Sequence, residues 1–200
     1  MQVGIRGRAA ERGLGTNSIE TNSLDANQFV QEFCSRLNVR RERGVVLLDP
    51  WGMQLLWTTI ERVAATQCLD MWYLFPTQAV VRMLPRSGLP PQNWCDKLDV
   101  CLGTPEWRTE FYRQVIGEAD LFGAANRQVD RDVSFSNVEA FVVRRLKVEF
   151  KGAVLESPLR LGPRNKPLFS FCFASANPSE PAKRLANRLA RGVIKANNAN

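Results

Sequence analysis

Asp49-Pro50-Trp51-Gly52 follows directly on the apolar run Val45 to Leu48. A carboxylate at the end of a buried strand points into the crevice where open α/β sheets take their ligands. The proline turn exposes backbone carbonyls, so the segment can accept hydrogen bonds from an amino group and flank it with the Trp51 ring. The same residues have a structural use, because Asp49 can cap a following helix and Trp51 can pack. A second apolar run, Leu69 to Phe75, carries Trp72 and Tyr73 and ends on Pro76. Alternate positions of such a run cover both faces of a sheet, which assigns most of these aromatics to the core. Phe75 and Pro76, together with Gly52, are best placed to wall a pocket beside Asp49. Asp70 starts the run, at the opposite edge, and reads as a structural turn residue.

Other chemistry is narrowed by what the chain lacks. There is no His among its 200 residues, which excludes Ser-His and Cys-His nucleophile pairs and any His-ligated metal site. The five cysteines, at 34, 68, 95, 101 and 172, form no Cys-x-x-Cys pair and read as reduced, buried thiols. No metal site is expected. The net charge of +7 allows contact with nucleic acid or another anion. Basic residues concentrate at Arg6, Arg8 and Arg12, at Arg40, Arg41 and Arg43, near Arg144 and Arg145, and from Lys183 to Lys195.

Both runs read as strands buried on both faces. Between them Met53, Leu56, Ile60, Val63 and Ala64 recur at helical spacing. Strand, helix and strand in so short a span make a βαβ unit with parallel strands. Asp49 and Pro76 then leave the sheet at the same edge. Upstream, Asp25 is an N-cap for a helix carrying Phe29, Val30, Phe33 and Leu37. Residues 1–23 have scattered glycines and no periodicity, and read as a disordered arm. Residues 24–200 form one α/β domain, with a helical insertion over about 86–137. Within that insertion, Trp94 to Val115 reads as helical and 117–137 as a polar surface connection. A longer helix carries Val138, Phe141, Val142, Leu146 and Phe150 and ends at Gly152. Val154 to Leu161 and Leu168 to Ala174 read as an antiparallel strand pair. The last helix is expected to point Leu185, Leu189 and Val193 inward and its Arg and Lys residues outward. No apolar run is long enough to span a bilayer and the N-terminus has no signal-peptide pattern, so a cytoplasmic location is expected.

Several longer motifs carry a resemblance. Leu48-Asp49-Pro50-Trp51-Gly52, Trp57-Thr58-Thr59-Ile60, the Leu69 to Pro76 run, Trp107 with Phe111-Tyr112, and Leu168 to Pro178 occur in this order. Together they resemble the three-Cys-motif partner (TcmP) family, over about Asp25 to the C-terminus. The resemblance implies a partial Rossmann-like methyltransferase sheet, with parallel strands followed by an antiparallel C-terminal hairpin and helices on its flanks. It implies S-adenosylmethionine as cofactor and a three-Cys-motif protein as partner. Amino-group methyltransferases use an Asp/Asn-Pro-Pro-aromatic turn to hold the acceptor. Here Trp51 replaces the second Pro, and Asp49, Pro50 and Trp51 stand at the catalytic positions. Asp25-Ala26-Asn27 matches the family's Gly-Asp-Ala-Asn turn, where adenine is approached.

The chain departs from the family at its start. The Asp-Pro-Phe-Ala-Gly-x-Gly type turn for the cofactor's methionine end has no counterpart, and residues 1–23 match nothing. The expectation is an N-terminally truncated member that binds little or no cofactor alone. Its first strand is then left as a naked edge open to a partner strand or to self-association. The alternative is a non-enzymatic basic interaction module that binds a protein partner or nucleic acid.

Overall fold

The computed structural model describes residues 22–119, 125–163 and 166–198. The arm over 1–21 lies outside the described residues. The order of elements is α1 (Ala26–Arg36), β1 (Gly44–Leu48), α2 (Trp57–Ala65), β2 (Leu69–Phe75), α3 (Thr77–Arg82), α4 (Gln92–Leu102), α5 (Trp107–Phe111), β3 (Tyr112–Ala119), β4 (Ala125–Arg131), α6 (Phe135–Glu149), β5 (Leu159–Leu161), β6 (Phe169–Ser175) and α7 (Glu180–Asn198). Four strands form a mixed sheet in the order β1-β2-β6-β5. β1 and β2 are parallel, with Val46 opposite Met71 and Leu48 opposite Tyr73. β6 runs antiparallel to β2 and to β5. The α/β class, the parallel pair and the antiparallel pair are as expected from sequence.

One face of this sheet carries the main core. Met71, Tyr73 and Phe75 of β2 bury there with Trp57, Ile60 and Val63 of α2 and Val138, Val142 and Leu146 of α6. Two buried indoles find acceptors, as buried N–H groups must. Trp57 Nε1 donates to Glu149 Oε1 at 3.2 Å, and Trp107 Nε1 to Asp99 Oδ1 at 2.8 Å. All five cysteines are free and buried. Burial pushes the Cys101 thiol up to about 12 and raises Cys172 further, so neither is a ready nucleophile.

The opposite face is thinly covered. α7 lies on it with Ala186 and Ala190 buried against Phe173 and Leu155, and with Trp72 and Ile194 beside them. Trp72 stacks on Phe171 at 4.6 Å and meets Phe173 at 4.9 Å.

Several expectations are corrected. β1 is buried on one face only: Val45 and Leu47 are 66% and 64% exposed, and neither belongs to the cluster that α7 packs on. Leu185, Leu189 and Val193 do not point inward, and the helix docks through its alanines instead. Small side chains let α7 approach a sheet face already filled by large rings. Tyr112–Ala119 and Ala125–Arg131 form an antiparallel strand pair, not the end of a helix and a connection. It is tied to the loop after α3 by Tyr112 Oη donating to Pro85 O at 3.0 Å and Arg131 Nε to Leu84 O at 2.9 Å. Val154 makes only an isolated bridge with Ala174, and the strand proper starts at Leu159. α2 starts at Trp57, so Met53 and Leu56 precede it. α6 ends at an extended Phe150 rather than on a glycine cap. Gly152 is needed for another reason: a Cβ there would collide with the carbonyl oxygens of Ser175 and Asn177. Asp70 is a strand residue opposite Val45 and Ser175, not a turn residue.

Candidate functional site

The parallel β1–β2 pair brings Leu48-Asp49 and Phe75-Pro76 out at one sheet edge. On the β1 side of this edge, the entry to α1 folds over the strand end. A groove of about 600 Å³ lies between them, with Asp25, Ala26 and Asn27 on one wall and Asp49, Pro50 and Trp51 on the other. Val30, Val46, Leu48 and Leu55 supply an apolar floor. Two triplets separated by more than twenty residues in sequence thus line one cleft.

Each side chain of the first wall has a local duty. The Asp25 carboxylate caps α1, accepting from Asn27 N at 3.0 Å and Gln28 N at 3.2 Å. Asn27 clamps the start of α2. Its Oδ1 accepts from Leu56 N at 2.9 Å and from Thr59 Oγ1 at 2.8 Å, and its Nδ2 donates to Gln54 O at 3.0 Å. The N-cap residue of α2, Leu56, has no side chain able to cap, so Asn27 does this across the chain.

Asp49 is therefore not the cap of α2. Its carboxylate is exposed and makes no hydrogen bond or ion pair among the described residues. Trp51 is 86% exposed. A free carboxylate, an adjacent proline turn and an uncovered indole suit the capture of a flat group bearing N–H donors. Gly52, with φ of 62°, makes the turn after Trp51 without lining the groove. Phe75 and Pro76 are buried at the end of β2, away from this cleft. Phe75 packs edge-on to Tyr73 at 5.6 Å, and Pro76 O accepts from Ala79 N at 3.0 Å.

The principal polar cluster that sequence reasoning missed lies nearer Pro76. Thr77 Oγ1 donates to Ser170 Oγ at 2.7 Å, and Ser170 Oγ donates to Glu139 Oε2 at 2.7 Å. Arg160 closes the chain, with Nη2 2.8 Å from Glu139 Oε1 and its guanidinium over the Phe135 ring at 5.2 Å. Four elements are tied by one buried carboxylate. Glu139 beside Val138 in an apolar helix stripe was the available signal, but its partners come from β5, β6 and α3. Among the described residues no three metal-ligating side chains cluster. No helix of the described residues is long and apolar enough to cross a membrane.

Comparison with family models, with curated proteins and with solved structures finds no match to the chain.

Proposed function

We propose that this chain carries the acceptor side of a methyltransferase-like crevice that works only when further strands complete the sheet at β1. The observation that carries the reading is the groove joining Asp25-Ala26-Asn27 to Asp49-Pro50-Trp51 at the carboxyl end of an edge strand. Two parallel strands followed by an antiparallel pair also agree with the partial Rossmann-like arrangement that the TcmP resemblance implies.

In this reading the Asp49 carboxylate and the turn carbonyls orient an amino or hydroxyl donor, and Trp51 covers its flat face. S-adenosylmethionine, the cofactor the resemblance implies, supplies an electrophilic methyl group when bound. The lining residues suit only its nucleoside end, over Ala26 and the start of α1, because the side chains of Asp25 and Asn27 are already engaged. No Gly-rich turn is among them to receive the charged methionine end. Transfer by this chain alone is therefore outside the proposal. A three-Cys-motif protein is the partner that the resemblance names. Isothermal titration of S-adenosylmethionine into the isolated chain is expected to show no tight binding. Micromolar or tighter binding by the chain alone overturns the two-part reading.

The alternative, a basic module for nucleic acid, draws on the exposed Arg184, Arg188 and Arg191 of α7. It predicts salt-dependent binding to DNA or RNA that charge reversal at Arg184 and Arg188 weakens. Binding that these reversals leave unchanged removes that surface.

A further inference from the structure

We propose that the sheet face above β1 is a seat for an acidic amphipathic helix of another polypeptide, lying alongside α7. The register puts Val45 and Leu47 on the same face as Asp70 and Trp72, and Trp72 on the same face as Phe173. Along that face α7 covers Phe173 and borders Trp72, then the cover stops. Two apolar β1 side chains, each about two-thirds exposed, have no helix of the described residues packed on them.

The flank of α7 that faces this gap is apolar. On its other flank, Asn187, Arg191 and Lys195 look across a cleft at residues 154–157, which lie on the β5 side of β6. At 3.6 residues per turn, with Ala186 and Ala190 buried, Leu185 and Leu189 fall on the opposite flank, toward β2 and β1. They are 47% and 59% exposed. The gap thus has a floor of Val45, Leu47 and Trp72, with the half-buried Asp70 beside Val45, and a wall of Leu185 and Leu189.

Its width fits one helix. From β6, beneath α7, to β1 is two strand spacings, or about 10 Å, and packed helices stand 8–10 Å apart. The charge fits an acidic one. Arg184 and Arg188 sit on the solvent side of the leucine wall and form no ion pair among the described residues. A second copy of this chain would bring its own α7 arginines and a net charge of +7 against them. A bilayer cannot enter a trough one helix wide, and phosphates gain nothing from an aliphatic floor. The seat stands on its own geometry, whether or not the groove at Asp49 takes a cofactor.

The probe is a fluorescein-labelled peptide about four turns long, leucine on one face and glutamate on both flanks, followed by anisotropy with the full chain. A lysine-flanked peptide of the same apolar face is the comparison. Saturable binding of the glutamate peptide is expected, weakened about tenfold or more by Leu47→Asp or Leu189→Asp. Val148→Asp, an exposed site on α6 against the other sheet face, leaves it unchanged. Joint reversal of Arg184 and Arg188 to Glu turns the preference toward the lysine peptide. Circular dichroism melts confirm folding, and if Leu47→Asp unfolds the chain, Leu189→Asp on the outer helix decides. Four results overturn the proposal: no saturable binding, equal affinity for both peptides, a dimer in sedimentation that Leu189→Asp dissolves, or Leu189-dependent binding to phosphatidylserine vesicles in place of the peptide.

Discussion

Asn27 shows how one side chain can look like a ligand contact and serve the fold. Its amide joins α1 to the segment that leads into α2 through three hydrogen bonds, to Gln54, Leu56 and Thr59. Asn27→Ala leaves Leu56 N and Gln54 O without these partners, and is expected to cost about 1–2 kcal/mol of stability in urea unfolding. Asn27→Asp retains the acceptor and should cost less. Asp99 gives a pH signature. Hydrogen bonds from Arg108 hold its carboxyl below the ordinary value of 3.8, with the Trp107 indole adding to this and partial burial opposing it. A depressed folded value means that the stabilisation is complete above about pH 4 and is lost as pH falls through the lower folded value. Asp99→Asn should flatten that part of the unfolding curve below pH 4, measured by denaturant midpoints at each pH. Glu139 and Arg160 were each legible as charged residues, but their pairing was not. It depends on β5 crossing beside α6, which no local pattern encodes.

At the scale of elements, α7 separates two kinds of apolar stripe. Leu185 and Leu189 repeat every four residues, and so do Ala186, Ala190 and Ile194, about 100° around the helix. Hydrophobicity favours the leucines as the inward stripe, yet Trp72, Phe171 and Phe173 leave a space that alanine fits. Leu189→Glu should therefore change the melting free energy by less than about 0.5 kcal/mol. Ala190→Leu, which forces three extra carbons against the sheet, should destabilise by about 1–3 kcal/mol. Equal effects in calorimetry would show that the helix does not sit as described. The β1 and β2 strands were legible because short runs of branched and aromatic apolar residues, each closed by a proline turn, have few other solutions. The β3–β4 pair was not, since its polar strands lack the alternation that signals a half-buried sheet.

For the whole molecule, the division into a large core and a small satellite cluster sets the order of opening. The main core joins α2, β2, α4 and α6, while α7 is held by few buried residues. Hydrogen exchange is expected to free α7 amides well before those of β2 and α6, and an acidic helix in the proposed seat should slow α7 selectively. Uniform protection across α7 and β2 in the chain alone would contradict this view of α7 as a loosely held cover. Sequence by itself determined the α/β class, the parallel βαβ unit, the buried free cysteines and the exclusion of histidine chemistry. These follow from local periodicity, strand propensity and composition. Tertiary structure alone decided which side chains share the groove, that Asn27 rather than Asp49 starts α2, and which faces stay uncovered. The reason is physical: local pattern states that a side chain is apolar or can accept a hydrogen bond. Only the packing of distant elements determines whether another surface reaches it.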